Sequence, residues 1–110
     1  MDPNFISGNI IDAALKVHTA LGPGLLESAY EACLIHELNK RHLNTASQIS
    51  LPVFYDGVTI DLGYRIDLLV EDLVIVELKA VEKLHPVHKA QLLSYLKLSK
   101  KQLGLLLNFW

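Results

Sequence analysis

Two aliphatic strings, each interrupted by an acid, constrain this chain more than anything else in it. They are Gly63-Tyr64-Arg65-Ile66-Asp67-Leu68-Leu69-Val70 and Leu73-Val74-Ile75-Val76-Glu77-Leu78-Lys79-Ala80. Both are of strand length, and Glu71-Asp72 between them is a natural place for a tight reversal. Residues i and i+2 of a strand share a face, so Glu77 and Lys79 project together while Val76 and Leu78 point the other way. Folding back at Glu71-Asp72 brings Asp67 across from the Glu77 region. Two carboxylates and an ammonium then converge on one side of a hydrophobic hairpin, where charge is rarely placed without a use.

Carboxylates from neighbouring strands form the hard oxygen site that Mg²⁺ or Mn²⁺ prefers. Such an ion polarises a phosphodiester and lowers the pKa of a bound water. Lys79 could orient that water or stabilise charge in the transition state. The same three residues also fit a cross-strand salt bridge on a solvated face, worth about 0.2–1 kcal/mol when exposed.

Ile10, Ile11, Ala14, Leu15, Val17, His18 and Leu21 recur at the helical period and predict a helix over 7–21, ended by Gly22-Pro23-Gly24. A second helix is expected over 25–40. Glu27 lies in its first turn, where a carboxylate gains about 0.3–1 kcal/mol from the helix N-terminus. Tyr30, one turn on, reads as a core aromatic with its hydroxyl near the surface. Pro86 suits the first position of a third helix over 86–98. Gln91 and Tyr95, four apart, share one of its faces. Strands are expected over 47–55, 58–71 (with a break possible at Gly63), 73–80 and 103–109, and Asp56-Gly57 is the best hairpin signal. The uniformly apolar string Leu103-Gly104-Leu105-Leu106-Leu107 belongs inside the sheet, parallel to the strand of Glu77 after a helical crossover.

A length of 110 residues fits one domain, 1–110, and the apolar strings fall well short of a membrane span of about 20 residues. Met1-Asp2-Pro3-Asn4 lacks the basic start of a signal peptide, and the single cysteine, Cys33, cannot form an internal disulfide. A cytoplasmic protein without a membrane partner is the expectation. The five histidines lack the grouping of a zinc site. Charge is segregated: residues 1–78 hold 4 Lys/Arg against 11 Asp/Glu, and residues 79–110 hold 6 lysines against Glu82 alone. A basic region beginning at Lys79 could position a phosphate backbone beside an acidic centre, although a solvated lysine-rich helix has the same composition.

In this order the elements resemble the GxxExxY family, a compact branch of the PD-(D/E)xK, restriction-endonuclease-like nuclease superfamily. The naming motif is complete in Gly24-Leu25-Leu26-Glu27-Ser28-Ala29-Tyr30, followed by the Asp67 strand, Glu77-Leu78-Lys79 and Gln91-Leu92-Leu93-Ser94-Tyr95. One departure is Ile66, where the superfamily name has proline. The resemblance implies an α/β fold with a restriction-endonuclease-like core, a mixed central β-sheet flanked by helices in the order ααβββαβ. It implies metal-dependent hydrolysis of DNA phosphodiester bonds with Mg²⁺ or Mn²⁺. Asp67, Glu77 and Glu27 would be metal ligands, and Lys79 and Gln91 would act with them in catalysis. Tyr30 and Tyr95 would contact substrate or support the site. A module of the same fold that binds nucleic acid or a protein partner without catalysis is the alternative. Related sequences usually continue past the last strand, so an uncovered apolar surface and a homodimer are further expectations.

Overall fold

The computed structural model describes all 110 residues. Its elements are α1 (Pro3–Leu21), α2 (Glu27–Lys40), β1 (Thr45–Ser50), β2 (Val53–Tyr55), β3 (Val58–Ile60), β4 (Arg65–Val70), β5 (Val74–Lys79), α3 (Pro86–Ser99) and β6 (Leu103–Asn108). A four-stranded mixed sheet has the order β1-β4-β5-β6, and β2-β3 form a separate two-stranded ribbon. β4 runs antiparallel to both β1 and β5, whereas β5 and β6 are parallel across the α3 crossover. The expected α/β architecture is present, with helices on both faces of the sheet.

Several boundaries differ from expectation for local reasons. α1 begins four residues earlier because Asp2 caps it, accepting a hydrogen bond from the Asn4 amide at 2.9 Å, with Pro3 in the first turn. The strand expected over 47–55 is two strands, separated at Leu51-Pro52, where proline has no N–H to donate. The strand expected over 58–71 likewise breaks after Ile60, and Gly63 takes a positive φ of 80°. The ribbon β2-β3 therefore leaves the main sheet. Both hairpin turns fall where expected. Asp56-Gly57 and Glu71-Asp72 have positive φ at both central residues, the conformation that matches strand twist.

The expectation that β6 lies inside the sheet is corrected. It is parallel to β5, but no strand pairs its outer side, and its residues are all half-buried. Two cores flank the sheet. On one side Ile6, Ile10, Ala13 and Val17 of α1 and Tyr30, Leu34 and Leu38 of α2 pack on Leu68, Val70, Val74, Val76 and Leu78. On the other, Leu92 and Tyr95 of α3 pack on Ile66 and Ile75. This alternation sends Val74, Val76 and Leu78 toward α1 and α2 and leaves Ile75 and Glu77 on the α3 side.

Candidate functional site

Only two charged or polar residues are buried, Glu37 and Glu77, and they are treated in opposite ways. Glu37 lies between Lys16 at 3.1 Å and Lys40 at 3.4 Å. The hydrogen bond from Lys16 holds its carboxyl below the usual range. Glu77 has no such partner: the remaining ion pairs are Arg41–Asp12 and Lys101–Asp72. A buried carboxylate without a cation is costly and marks a site with another purpose.

The local fold explains its position. The β4–β5 ladder pairs Val70 with Val74, Leu69 with Ile75 and Leu68 with Val76, and one more step would pair Asp67 with Glu77. Instead, the carboxylates take over the bonding. The Asp67 amide donates to Glu77 Oε2 at 2.8 Å, and the Leu78 amide donates to Asp67 Oδ2 at 2.9 Å. The direct β4–β5 ladder ends at this step, and beside it, between α2 and the sheet, lies a notch. It has a volume of about 220 Å³ and is lined by Glu27, Ser28, Glu31, Gln48, Asp67 and Leu78.

The notch is acidic. Burial pushes the Glu77 carboxyl up to about 7; the hydrogen bond from the Asp67 amide opposes this, the Asp67 charge adds to it, and Lys79 opposes it. Burial likewise raises Glu31, against a hydrogen bond from Gln48 and with the help of the Asp67 and Glu27 charges. Glu27 enters from the first turn of α2 on the same side as Asp67, not from across the sheet.

Other expected residues divide into those near the notch and those spent elsewhere. Tyr95 of α3 is buried, and burial, then the Glu77 and Asp67 charges, raise its hydroxyl; it makes no hydrogen bond to either acid. Lys79 is half-buried and lowers the Glu77 carboxyl through space, without an ion pair. The cross-strand salt bridge open at the sequence level is thus not formed. Gln91 is half-buried on α3 and does not line the notch. Tyr30 is fully buried, stacks on Phe109 with ring centroids 4.6 Å apart, and donates its hydroxyl to the Gly22 carbonyl at 2.5 Å. That hydroxyl also accepts from the Leu25 amide at 3.2 Å. The tyrosine of the motif therefore staples the Gly22–Leu25 loop that delivers Glu27 to the notch.

Beyond Lys79 the chain enters an open cleft of about 650 Å³ lined by Val81, Glu82, Lys83, His85 and His88. Its wall is fixed by Asn108, whose side chain accepts from the Val81 amide at 3.0 Å and donates to the Val81 carbonyl at 2.9 Å. Glu31, Gln48 and Asn108 were not singled out as site residues from sequence. Glu31 lies one turn beyond Glu27, a detectable signal, whereas Gln48 and Asn108 become relevant only through strand register.

Carboxylate oxygens suit a hard divalent ion, and Mg²⁺ is commonly held by one or two protein carboxylates with the rest supplied by water and phosphate. The Asp67–Glu77 pair fits that pattern. No three His, Cys, Asp or Glu side chains are grouped to hold an ion, so the expected set of Glu27, Asp67 and Glu77 is not assembled as a three-ligand cage. No helix is long and apolar enough to cross a membrane.

Comparison with known proteins agrees with this geometry. No curated protein and no solved structure matches the chain. The family profile described as the PD-(D/E)XK nuclease superfamily matches residues 4–110. With that match covering nearly every residue, the chain belongs to the GxxExxY branch of the PD-(D/E)XK nuclease superfamily.

Proposed function

We propose that this domain binds nucleic acid as a module of the nuclease fold, with its acidic pair engaged by the chain's own backbone amides. The observation that carries this is the use of the acidic pair as backbone acceptors: Asp67 takes the Leu78 amide and Glu77 takes the Asp67 amide. No third ligating side chain completes a group with them. The cleft that follows β5, lined by Lys83, His85 and His88 together with Glu82, offers one ammonium and imidazole N–H donors to a phosphate backbone. Fluorescence anisotropy with duplex and single-stranded DNA in EDTA tests the proposal. The expected result is binding that needs no divalent ion and falls about ten- to fortyfold between roughly 50 and 200 mM salt, as two or three phosphate contacts require. No binding in EDTA at low salt would remove it.

One observation favours a second reading, metal-dependent hydrolysis of DNA phosphodiester bonds. Glu77 is buried without a cation and faces Asp67, and Glu27 and Glu31 add negative charge at the same notch. Asp67 and Glu77 would hold Mg²⁺ or Mn²⁺, with Glu27 as a further or water-mediated ligand. A bound ion would supply charge for the phosphate oxygens and acidity for a water. Lys79 would orient that water, Gln91 would steady Lys79 or the substrate, and Tyr95 would support the pair from α3. Tyr30 would act indirectly, by fixing the loop before Glu27. Cleavage that EDTA abolishes would establish this reading over the first.

A homodimer through β6 belongs to the same proposal. The side chains of residues 102–110 carry no charge, so two copies of this open edge can pair around a two-fold axis without placing like-charged side chains opposite one another. His18 lies beside that edge in a cleft with Leu106 and Leu107, and its buried Nε2 has no partner. Light scattering should give twice the chain mass at micromolar concentration; a monomer would rule the dimer out.

A further inference from the structure

We propose that Gln48 is a positioning residue, an amide clamp that ties Glu31 of α2 to Asp67 of β4 and that a divalent ion must displace. The displacement rests on the hydrolytic reading above; the clamp itself does not. Gln48 Nε2 donates to Glu31 Oε1 at 3.0 Å and makes a longer contact of 3.5 Å to Asp67 Oδ1. An uncharged group with two N–H donors thereby satisfies two carboxylates that would otherwise repel. With Oδ2 taken by the Leu78 amide, both oxygens of Asp67 are engaged by donors from the protein.

The backbone is bent to this purpose. Gln48 has a φ of 51° in the middle of β1, between the pairs Ser47↔Leu68 and Ile49↔Ile66. That left-handed conformation is uncommon for a residue other than glycine, asparagine or aspartate. A single such residue interrupts the alternation of side chains along the strand. Gln48 stands opposite Asp67 in the register, yet its amide reaches Glu31 on the helix.

Gln48→Gly removes the amide and relieves the strained backbone but loosens the unfolded chain, so its coupling to Glu31→Gln, not the single loss, reads the clamp. Gln48→Asn keeps an amide, tolerates the same φ and is too short to span both acids. In EDTA, both variants should melt below wild type, and Gln48→Gly combined with Glu31→Gln should lose less than the sum of the single changes. Mn²⁺, followed by calorimetry or by the rise in melting temperature, should bind Gln48→Gly at least about fivefold more tightly than wild type, the equivalent of one ordinary hydrogen bond released. Tighter binding with coupled losses supports clamp and displacement together. Equal or weaker Mn²⁺ binding by the variant overturns displacement. If neither protein binds Mn²⁺, the hydrolytic reading fails with it. Strictly additive losses in EDTA overturn the clamp, whatever Mn²⁺ does.

Discussion

Glu77→Gln is expected to raise the thermal midpoint of the ion-free protein at pH 8 by about 5–10 °C, and to change it little at pH 5. The carboxyl of Glu77 is pushed from 4.5 to about 7 in the folded chain, chiefly by burial. Between those values the folded protein holds a proton that the unfolded chain has released, so stability falls as pH rises through that window. Below about 4.5 the contribution is fully present, and above about 7 it is lost. The displacement from 4.5 to about 7 corresponds to at most about 3–4 kcal/mol, since one unit is 1.36 kcal/mol. Glutamine is neutral at every pH and keeps an oxygen for the Asp67 amide, so it avoids this loss. Paired thermal melts of wild type and variant from pH 5 to 8 read the effect directly. A difference that does not grow with pH would mean that Glu77 is not a buried, uncompensated acid.

The second large effect concerns the lysines at the end of β5 and in the cleft beyond it. Lys79→Ala and Lys83→Ala should each weaken DNA binding alike across unrelated sequences and reduce the salt slope by about 1, the signature of a lost phosphate contact. Together they should cost roughly ten- to a hundredfold in affinity at low salt, because each contact contributes most when counterions are scarce. Lys89 and Lys97, on the exposed surface of α3, serve as controls and should matter less. If all four substitutions have the same effect, binding is diffuse attraction to the basic C-terminal part of the chain, not capture at the cleft.

Sequence alone reached the hairpin that carries the site, because period-two alternation and two turn dipeptides act locally. It also identified the parallel partner of the Glu77 strand, since a helical crossover permits little else. What it could not reach depends on register and on free edges. The open outer side of β6 is invisible in a string of leucines that reads equally well as a central strand. The split of the first expected strand rests on Pro52, yet the departure of the β2-β3 ribbon from the sheet is a tertiary outcome. The same distinction holds at the site. Asp67, Glu77 and Glu27 could be named from their positions in motifs. Their state could not, because replacement of the Asp67–Glu77 ladder step by carboxylate bridges appears only once the two strands are paired. Tyr30 shows the limit most clearly. It belongs to the naming motif, but its hydroxyl serves the Gly22–Leu25 loop and only through that loop the position of Glu27.

The most direct measurement incubates the purified protein with single-stranded, double-stranded and branched DNA in Mg²⁺, Mn²⁺ or EDTA, and follows binding and strand scission in the same samples. An acidic pair engaged by backbone amides predicts bound DNA that stays intact in all three conditions, with the same affinity in EDTA. Scission that EDTA abolishes, and that disappears in Asp67→Asn and Lys79→Ala while binding persists, would contradict this account and establish the domain as a metal-dependent nuclease.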